Sequence, residues 1–232
     1  MTVTLPDLAI KVATACRILE AQGHEHSFLG HVSARLPDDT VLTKPSGLGL
    51  AEVRSGDVIT VDLEGRQLTG ERKPHVEMPI HTRIYRRRED VGAVVHTHAP
   101  EVAGLTASSA EFLMVNQDSV QFAEGVGLYP SAALIVTPER GDGVAEALGG
   151  KRAVLLRNHG LVTVGATVAE AVFLAVSLVN SLRVQAMASR YGEVSPIPAD
   201  EVAVMAHEFA ASYESRVSAT WSYLCRLLDG AP

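Results

Sequence analysis

The 232-residue sequence predicts a mixed α/β fold in which helices cover the faces of one largely antiparallel sheet. Short β-branched runs bounded by Gly, Asn and Pro turns indicate strands. Longer segments with apolar residues at helical spacing separate these runs and predict helices. Because tight turns join antiparallel neighbours, this order of elements favours a central sheet with helices packed on it.

The first half of the chain begins with a helix and continues mainly as strands. The N-terminal helix ends near Gly23, since a helix C-terminus favours glycine. The hairpin VITVDLEGRQLTG turns at Glu64-Gly65 between two alternating runs. EMPIHTRIYRRRED predicts a helix, because Met78, His81 and Tyr85 share one face. The other predicted elements are the strands HSFLGHVSARL, TVLTKPSG and GAVVHTHA and the short helix PEVAGLTASS.

The second half predicts more strands and three helices. EFLMVNQ and AALIVTP predict strands, and PERGDGVAEALGG predicts a helix that ends at its glycines. AVLLRNHGLVTVGAT predicts two strands joined at Asn158-His159-Gly160. A helix capped by Thr167 runs to about Tyr191, and a last helix covers Ala199 to Leu228. No repeat or linker interrupts the chain, so we expect one domain over residues 1–232.

Composition argues against nucleic acid and membrane partners. The net charge is −7, and the basic run Arg86-Arg87-Arg88 is followed at once by two acidic residues. No apolar run reaches the ~18–20 residues of a membrane span, and the N-terminus has no signal-peptide pattern. Cys16 and Cys225 lie far apart in apolar helical patterns, as free thiols of a reducing compartment do. We therefore expect a cytoplasmic protein.

Two histidines end the strand AVVHTHAP in the pattern of metal ligands. His96 and His98 are two residues apart, so in a strand their side chains share one face roughly 6–7 Å apart. Both imidazoles would then converge on one cation. The alternative for this motif alone is a polar strand end with two solvated histidines.

A third histidine and a carboxylate strengthen the metal interpretation. His159 lies at the predicted turn between two buried strands, where Asn158 and Gly160 permit a positive φ. Three imidazoles would leave coordination positions open for a substrate, as a catalytic metal requires. Glu77 opens the helix that precedes the HxH strand, although an acid there is also favoured by the helix dipole.

These motifs together resemble the class II aldolase/adducin superfamily. The resemblance is carried by GHVSAR, TKPSG, the Glu77/His81/Tyr85 pattern E-x3-H-x3-Y, VVHTHAP and RNHGLVTVG, over about residues 7–190. It implies a three-layer α-β-α fold and a homotetramer with its sites at subunit interfaces. It also implies one divalent metal ion per subunit on His96, His98 and His159, with Glu77 as the acid/base carboxylate.

The residues expected to bind substrate depart from those of the family's sugar-phosphate aldolases. The Ser46-Gly47 turn of their phosphate pocket is kept, but His31 stands where they have asparagine. Their hydroxyl pair before the catalytic glutamate is replaced by His75 and Val76, and a valine side chain has no group to bind a phosphate oxygen.

An anionic carboxylate substrate fits these replacements better than a sugar phosphate does. His31, Arg35 and Lys44 could face a carboxylate, and His75 could add a hydrogen bond. For Arg35 and Lys44 a place on the surface stays equally open. We expect His24, His26 and His207 to lie on the surface, because no motif surrounds them.

The leading hypothesis is a metal-dependent lyase that decarboxylates a hydroxylated aromatic or heteroaromatic carboxylate, as dihydroxyphthalate decarboxylases do. The main alternative is a class II aldolase or epimerase acting on a small sugar phosphate or hydroxy-aldehyde. A non-catalytic adducin-like interaction module and an iron-dependent oxygenase are further alternatives. Three imidazoles suit zinc, manganese, iron and cobalt, so the sequence does not select the metal.

Overall fold

The computed structural model describes residues 4–24 and 28–230, and its centre is one eight-stranded sheet. The strands are β1 (His31–Arg35), β2 (Val41–Thr43), β3 (Ile59–Val61), β4 (Gln67–Thr69), β5 (Ala93–Thr97), β6 (Gly127–Tyr129), β7 (Ala153–Leu156) and β8 (Gly160–Gly165). Their order is β4-β3-β2-β1-β5-β8-β7-β6, and every pair is antiparallel except β6 with β7. The predicted largely antiparallel sheet is confirmed.

Helices cover both faces of this sheet. They are α1 (Leu5–Ala21), α2 (Met78–Arg87), α3 (Pro100–Thr106), α4 (Pro138–Leu148), α5 (Val168–Tyr191), α6 (Ala199–Ala210) and α7 (Tyr213–Leu228). Side chains alternate along β5, so Val95 packs in one core with α1, α5 and α7, whereas Val94 packs in another with α2 and α4. This arrangement confirms the three-layer α-β-α fold.

Helix α5 is long and apolar enough to cross a membrane, but it packs as a core helix. Of its most apolar window, 61% is buried inside the structure. It lies against α1, α3, α7 and strands β5 and β8. Burial by the protein's own elements therefore accounts for its composition, as in a soluble protein.

Strand register brings the motifs together at one end of the sheet. His31 at the start of β1 lies opposite His96 near the end of β5. On its other side β5 pairs with β8, where Thr97 faces Leu161 just after the β7–β8 turn. Asn158 in that turn has a φ of 53°, the left-handed conformation predicted for it. The predicted β7–β8 hairpin is confirmed.

Two predicted strands are wrong, because side chains take up their backbone hydrogen bonds. In EFLMVNQ the Leu113 amide donates to Gln185 of α5, and the Gln185 amide donates to the Glu111 carbonyl. In AALIVTP the Ile135 amide donates to the Glu77 carboxylate. The actual strand in this region is β6, which the sequence reading missed.

The predicted last helix is two helices, α6 and α7, with a break at Ala211 and Ser212. The Ser212 amide donates to the Phe209 carbonyl, and the next residue, Tyr213, packs against Phe173 of α5. The chain therefore turns so that α7 docks on α5. Of the two cysteines, Cys16 is buried, whereas Cys225 is partly exposed although its apolar helical pattern predicts burial.

Gly160 is required for the close approach of β8 to β5 at the metal-ligand end of the sheet. A Cβ at Gly160 would lie 2.2 Å from the Thr97 carbonyl oxygen, and backbone atoms cannot yield as a flexible side chain would. We expect Gly160→Ala to destabilise the fold by about 1–3 kcal/mol and to displace His159. Urea unfolding measures the first effect and zinc titration the second.

Gly150→Ala is the matched control, because nothing lies within 4 Å of its added Cβ. Equal unfolding free energies for the two variants would contradict the close-approach argument.

Candidate metal site

Three imidazole nitrogens converge at the end of β5 and the β7–β8 turn. The Nε2 atoms of His96 and His98 are 2.9 Å apart, and those of His98 and His159 are 3.1 Å apart. One ligand atom from each of these histidines and one carboxylate oxygen of Glu77 all lie within 4.8 Å of one another. The structure thus brings together the four residues that the sequence predicted.

The ring of His96 is oriented with its metal-binding nitrogen toward the cluster. His96 is fully buried, and its Nδ1 lies 2.8 Å from the Leu161 carbonyl oxygen. A carbonyl only accepts, so Nδ1 carries the proton and the neutral ring turns a lone pair at Nε2 toward His98. Metal-bound histidines are commonly held by such a hydrogen bond from the other ring nitrogen.

The donor set fits a divalent cation. Burial, and then the rings of His98 and His159, hold the pKa of His96 well below its usual value, so this ring is neutral. A single proton of His98 Nε2 could not serve both neighbouring nitrogens fully, whereas one cation between the three rings accepts a lone pair from each. Zinc, manganese, iron and cobalt all accept such ligands, so the geometry does not select among them.

Glu77 lies beside the three imidazoles as a buried carboxylate. Its Oε1 accepts a 2.8 Å hydrogen bond from the Ile135 amide, and its Oε2 lies 3.6 Å from His159 Nε2 and 3.9 Å from His96 Nε2. Burial alone would raise the pKa of this carboxyl, but the His159 ring and the Ile135 amide stabilise the charged form and the net pKa is lowered. Glu77 is therefore ionised at neutral pH and able to accept a proton.

A second group of donors borders the cluster on the side of β1 and β2. The rings of His31 and His75 lie 4.1 Å apart between centroids, and His31 lies 4.8 Å from His96. Lys44 is fully buried and donates to the Phe28 carbonyl at 3.0 Å. Burial is the main cause that lowers the pKa of His31 and His75, and the charge of Lys44 lowers both further. The sequence left open whether Lys44 lies in the site or on the surface. Its charge acts on both rings, so Lys44 is part of the site.

A buried hydrogen-bond chain runs from His31 into the core. His31 Nδ1 lies 2.6 Å from His81 Nε2, and the Ser33 hydroxyl bridges His81 Nδ1 at 2.6 Å and the Tyr85 hydroxyl at 2.7 Å. The sequence placed His81 and Tyr85 on one helix face but did not connect either residue with Ser33 or with the site. The spacing in the sequence could have indicated this connection. Ser33 is two residues from His31 on a strand and Tyr85 is four residues from His81 on a helix, so each pair lies on one face of its element.

The turn Ser46-Gly47 lies next to the loop that carries His75. The Ser46 amide donates to the Lys73 carbonyl at 2.9 Å, which ties this turn to the loop two residues before His75. Ser46 is half-buried and Gly47 is exposed with a φ of 81°. The turn is therefore available to a ligand at the edge of the site.

Two expectations for single residues are corrected. Arg35 lies at the far end of β1 from His31 and binds Asp39 and the Tyr85 carbonyl, so the structure does not bring it to the cluster. His24, expected on the surface, is buried behind β5 with its Nδ1 3.2 Å from the Thr97 hydroxyl. His207 is exposed as expected, and His26 lies outside the described residues.

Replacing any one of the three clustered histidines tests the metal site. We expect His96→Ala, His98→Ala and His159→Ala each to lose bound metal, because two imidazoles hold a divalent ion far more weakly than three. Elemental analysis after dialysis measures this loss. His207→Ala, on the exposed face of α6, is the control and should keep its metal; a His159→Ala protein with full metal content would contradict the assignment.

Comparison with known proteins matches this architecture. The family model described as Class II Aldolase and Adducin N-terminal domain matches residues 10–186. A solved aldolase II superfamily protein from Pseudomonas syringae covers 99% of this chain, and the chain covers 94% of it, with a TM-score of 0.89 at 24% identity. L-fuculose 1-phosphate aldolase from Glaciozyma antarctica has the same coverage, with a TM-score of 0.86 at 26% identity.

Named relatives include an oxygenase from Streptomyces roseochromogenus and two other types of enzyme, decarboxylases and aldolases. The 3,4-dihydroxyphthalate decarboxylase of Arthrobacter keyseri is 30% identical over 90% of this chain and 94% of its own length. The 5-methylthioribulose-1-phosphate/5-deoxyribulose-1-phosphate aldolase of Rhodospirillum rubrum is 33% identical over 84% of this chain and 87% of its own length. Decarboxylases and aldolases are both lyases. The chain belongs to the class II aldolase and adducin family and is a lyase of that family.

Proposed function

We propose that the chain is a divalent-metal-dependent decarboxylase of a hydroxylated aromatic or heteroaromatic carboxylate. The observation that carries this proposal is the group of cationic and imidazole side chains beside the three-histidine cluster. His31 and His75 stand at positions where the family's sugar-phosphate aldolases are expected to have an asparagine and a hydroxyl residue, and the charge of the buried Lys44 acts on both rings. Relatives named 3,4-dihydroxyphthalate decarboxylase support this choice at the level of the family.

The imidazoles of His96, His98 and His159 would hold the cation. A bound divalent ion supplies Lewis-acid stabilisation of negative charge on neighbouring substrate oxygens. Lys44, whose charge acts on the rings of His31 and His75, would bind the anionic group of the substrate together with these two rings. In this arrangement the substrate's ring oxygens lie toward the three histidines and its carboxylate toward Lys44.

Glu77 moves the proton that decarboxylation requires. Its ionised carboxylate accepts the proton of a substrate hydroxyl, which leaves negative charge on that oxygen. When the bond to CO2 breaks, its electron pair stays on the ring, and the ring carbon takes the proton back from the Glu77 carboxyl. One proton thus passes from oxygen to carbon, CO2 leaves, and Glu77 returns to its ionised form.

Aldol cleavage of a sugar phosphate is the second candidate, and one observation favours it. The Ser46-Gly47 turn is kept and is tied to the loop that carries His75. Aldolases of this family are also among the relatives of similar identity. Against it stands Val76, whose exposed apolar side chain occupies the place of a hydroxyl residue.

We propose that the chain assembles as a homotetramer with its sites at subunit interfaces. Exposed apolar side chains flank the residues of the site, and a second copy of the chain would bury them. Val76 adjoins Glu77, Leu134 and Val136 flank the amide that binds Glu77, and Phe28 supplies the carbonyl that binds Lys44. The cytoplasmic location stays a prediction from the sequence.

Glu77→Gln separates proton transfer from metal binding. We expect this variant to keep the wild-type metal content, because the three imidazoles remain, and to lose ~10²–10⁴-fold in kcat, because the amide cannot carry the proton. Glu101→Gln, a carboxylate of α3 that pairs with Arg183, is the matched control. A kcat within a few-fold of wild type would remove Glu77 from the proton path.

Lys44→Met tests whether the buried ammonium binds the anionic group of the substrate. The methionine side chain retains most of the apolar stem but removes the charge, so we expect KM for a carboxylate substrate to rise about tenfold or more. Steady-state kinetics measure KM. Lys11→Met on α1 is the control; an unchanged KM in Lys44→Met would show that the lysine has only a structural role.

A turnover screen on metal-analysed protein tests the proposed reaction. Dihydroxyphthalates and related hydroxy-aromatic acids are followed for CO2 release, and sugar phosphates are followed for aldehyde release. We expect CO2 release that is lost with a chelator and in His98→Ala. Aldehyde release from a sugar phosphate, without CO2 release from any of the acids, would contradict the decarboxylase proposal and select the aldolase.

A further inference from the structure

We infer that the buried chain Tyr85–Ser33–His81 fixes the ring tautomer of His31, so that His31 presents an Nε2–H donor to an anionic oxygen of the substrate. Tyr85, Ser33 and His81 would then be positioning residues that determine specificity without touching the substrate. The identity of that oxygen as a carboxylate rests on the proposed function. The assignment of the tautomer does not rest on the proposed function.

The chain is closed to solvent along its whole length. His31, Ser33, His81 and Tyr85 are all fully buried, and the three links are 2.6, 2.6 and 2.7 Å long. Ser33 lies on β1 and faces the same side of the sheet as His31, whereas His81 and Tyr85 lie on the buried face of α2. Water therefore does not take part in these hydrogen bonds, and the four residues alone determine which atoms carry the protons.

Three patterns of donation are possible: from Tyr85 toward His31, from His31 toward Tyr85, or from both sides to Ser33, whose oxygen has two lone pairs. The O–H proton of Tyr85 stays in place because burial raises the pKa of this hydroxyl. In the described part of the chain the Tyr85 hydroxyl bonds Ser33, and the backbone group of Val94 that lowers the pKa of Tyr85 acts as a donor. If Ser33 donated to Tyr85, the phenolic proton would be buried without an acceptor. If Ser33 accepted from both Tyr85 and His81, its own proton would lack an acceptor among the described residues. Either arrangement carries a substantial cost in free energy.

The favoured direction of donation determines the tautomers of both rings, His81 and His31. Tyr85 donates to Ser33, Ser33 donates to His81 Nδ1, and His81 therefore carries its proton on Nε2. That proton is donated to His31 Nδ1, so the proton of His31 lies on Nε2. Each ring then holds one proton, because its Nδ1 accepts a hydrogen bond from the preceding member of the chain.

The end of this chain is the one ring position of His31 still open to a ligand. His31 Nε2 is buried and has no hydrogen-bond partner among residues 4–24 and 28–230. Nearby, the Glu77 amide donates to His75 Nδ1 at 3.3 Å, which places the proton of His75 on its Nε2 as well. A nitrogen of each ring and an oxygen of Glu77 lie within 4.8 Å of one another.

Glu77 is anionic, but its Oε2 lies 3.6 Å from His159 and 3.9 Å from His96, toward the three-histidine cluster. The N–H groups of His31 and His75 and the ammonium of Lys44 then favour an acceptor-only group on the other side. A carboxylate oxygen accepts from both rings, whereas a hydroxyl would have to turn its own proton away from them. The reverse tautomer would turn the lone pair of His31 toward the anion and repel it. The chain in the core thus sets which chemical group the site accepts.

The tautomer can be read directly on the zinc-loaded protein, since zinc is diamagnetic. Long-range proton–nitrogen correlation spectra distinguish protonated from unprotonated ring nitrogens, and His31→Asn and His81→Asn assign the signals. We expect Nε2–H for both His31 and His81 in the wild type. An Nδ1–H form of His31 would overturn the inference, whatever reaction the enzyme performs.

Ser33→Ala tests the function of the chain. Without the hydroxyl the direction of donation is no longer enforced, so we expect the Nδ1–H form of His31 to become detectable. The dissociation constant for phthalate, measured by calorimetry, should rise about three- to tenfold at unchanged zinc content. Tyr85→Phe, which keeps the ring, should change both quantities in the same direction and by less.

Thr163→Val is the matched control, because it also removes a buried hydroxyl from the same sheet. Thr163 donates to the Ala171 carbonyl in the opposite core and has no link to the chain. We expect wild-type phthalate affinity in this variant. Equal affinity in Ser33→Ala, Tyr85→Phe and Thr163→Val would overturn the specificity role. Because phthalate is bound and not turned over, this result is independent of the decarboxylation screen.

Discussion

The site depends on the alignment of three antiparallel strands at one end of the sheet. β5 lies between β1 and β8, and its register sets His96 opposite His31 on one side and next to the start of β8 on the other. A shift by one residue would turn His96 into the opposite core. The β7–β8 turn completes the alignment, because Gly160 lets the turn that carries His159 approach the backbone after His96.

This alignment concentrates polar groups that a protein interior does not otherwise favour. Four buried imidazoles, a buried carboxylate and a buried ammonium group lie within one region, and burial lowers the pKa of His31, His75, His81 and His96. Neutral rings need hydrogen bonds or a cation to satisfy their nitrogens. The Leu161 carbonyl, the Ser33 hydroxyl and a divalent ion would together meet that need.

The two hydrophobic cores differ in composition and in role. The core of α1, α5 and α7 is almost wholly apolar and supplies stability through burial. The core under α2 contains Val94 and Ile84 but also the chain from His31 to Tyr85, which runs into it from the site. Helix α2 thereby connects Glu77 at its start with Tyr85 near its end, and one element positions both the proposed acid/base residue and the proposed specificity chain.

Sequence patterns predicted the parts of the site that follow from local geometry. Strand periodicity was enough to place His96 and His98 on one face, and turn chemistry was enough to present His159. Local patterns do not report how far a residue lies from a site across the sheet. Arg35 is on the same face as His31 but four residues away, which on a strand is ~13 Å. The burial of His24 and the position of strand β6 depend on long-range packing, which no local pattern encodes.

X-ray absorption spectroscopy of the zinc-loaded protein tests the central claim most directly. The account predicts three imidazole nitrogens at about 2.0–2.1 Å from the metal, with oxygen ligands completing the coordination. In His159→Ala the number of imidazole ligands determined from the spectrum should fall from three to two. A zinc ion bound by fewer than three imidazoles in the wild type, or by a cysteine sulfur, would contradict the site on which the proposed chemistry depends.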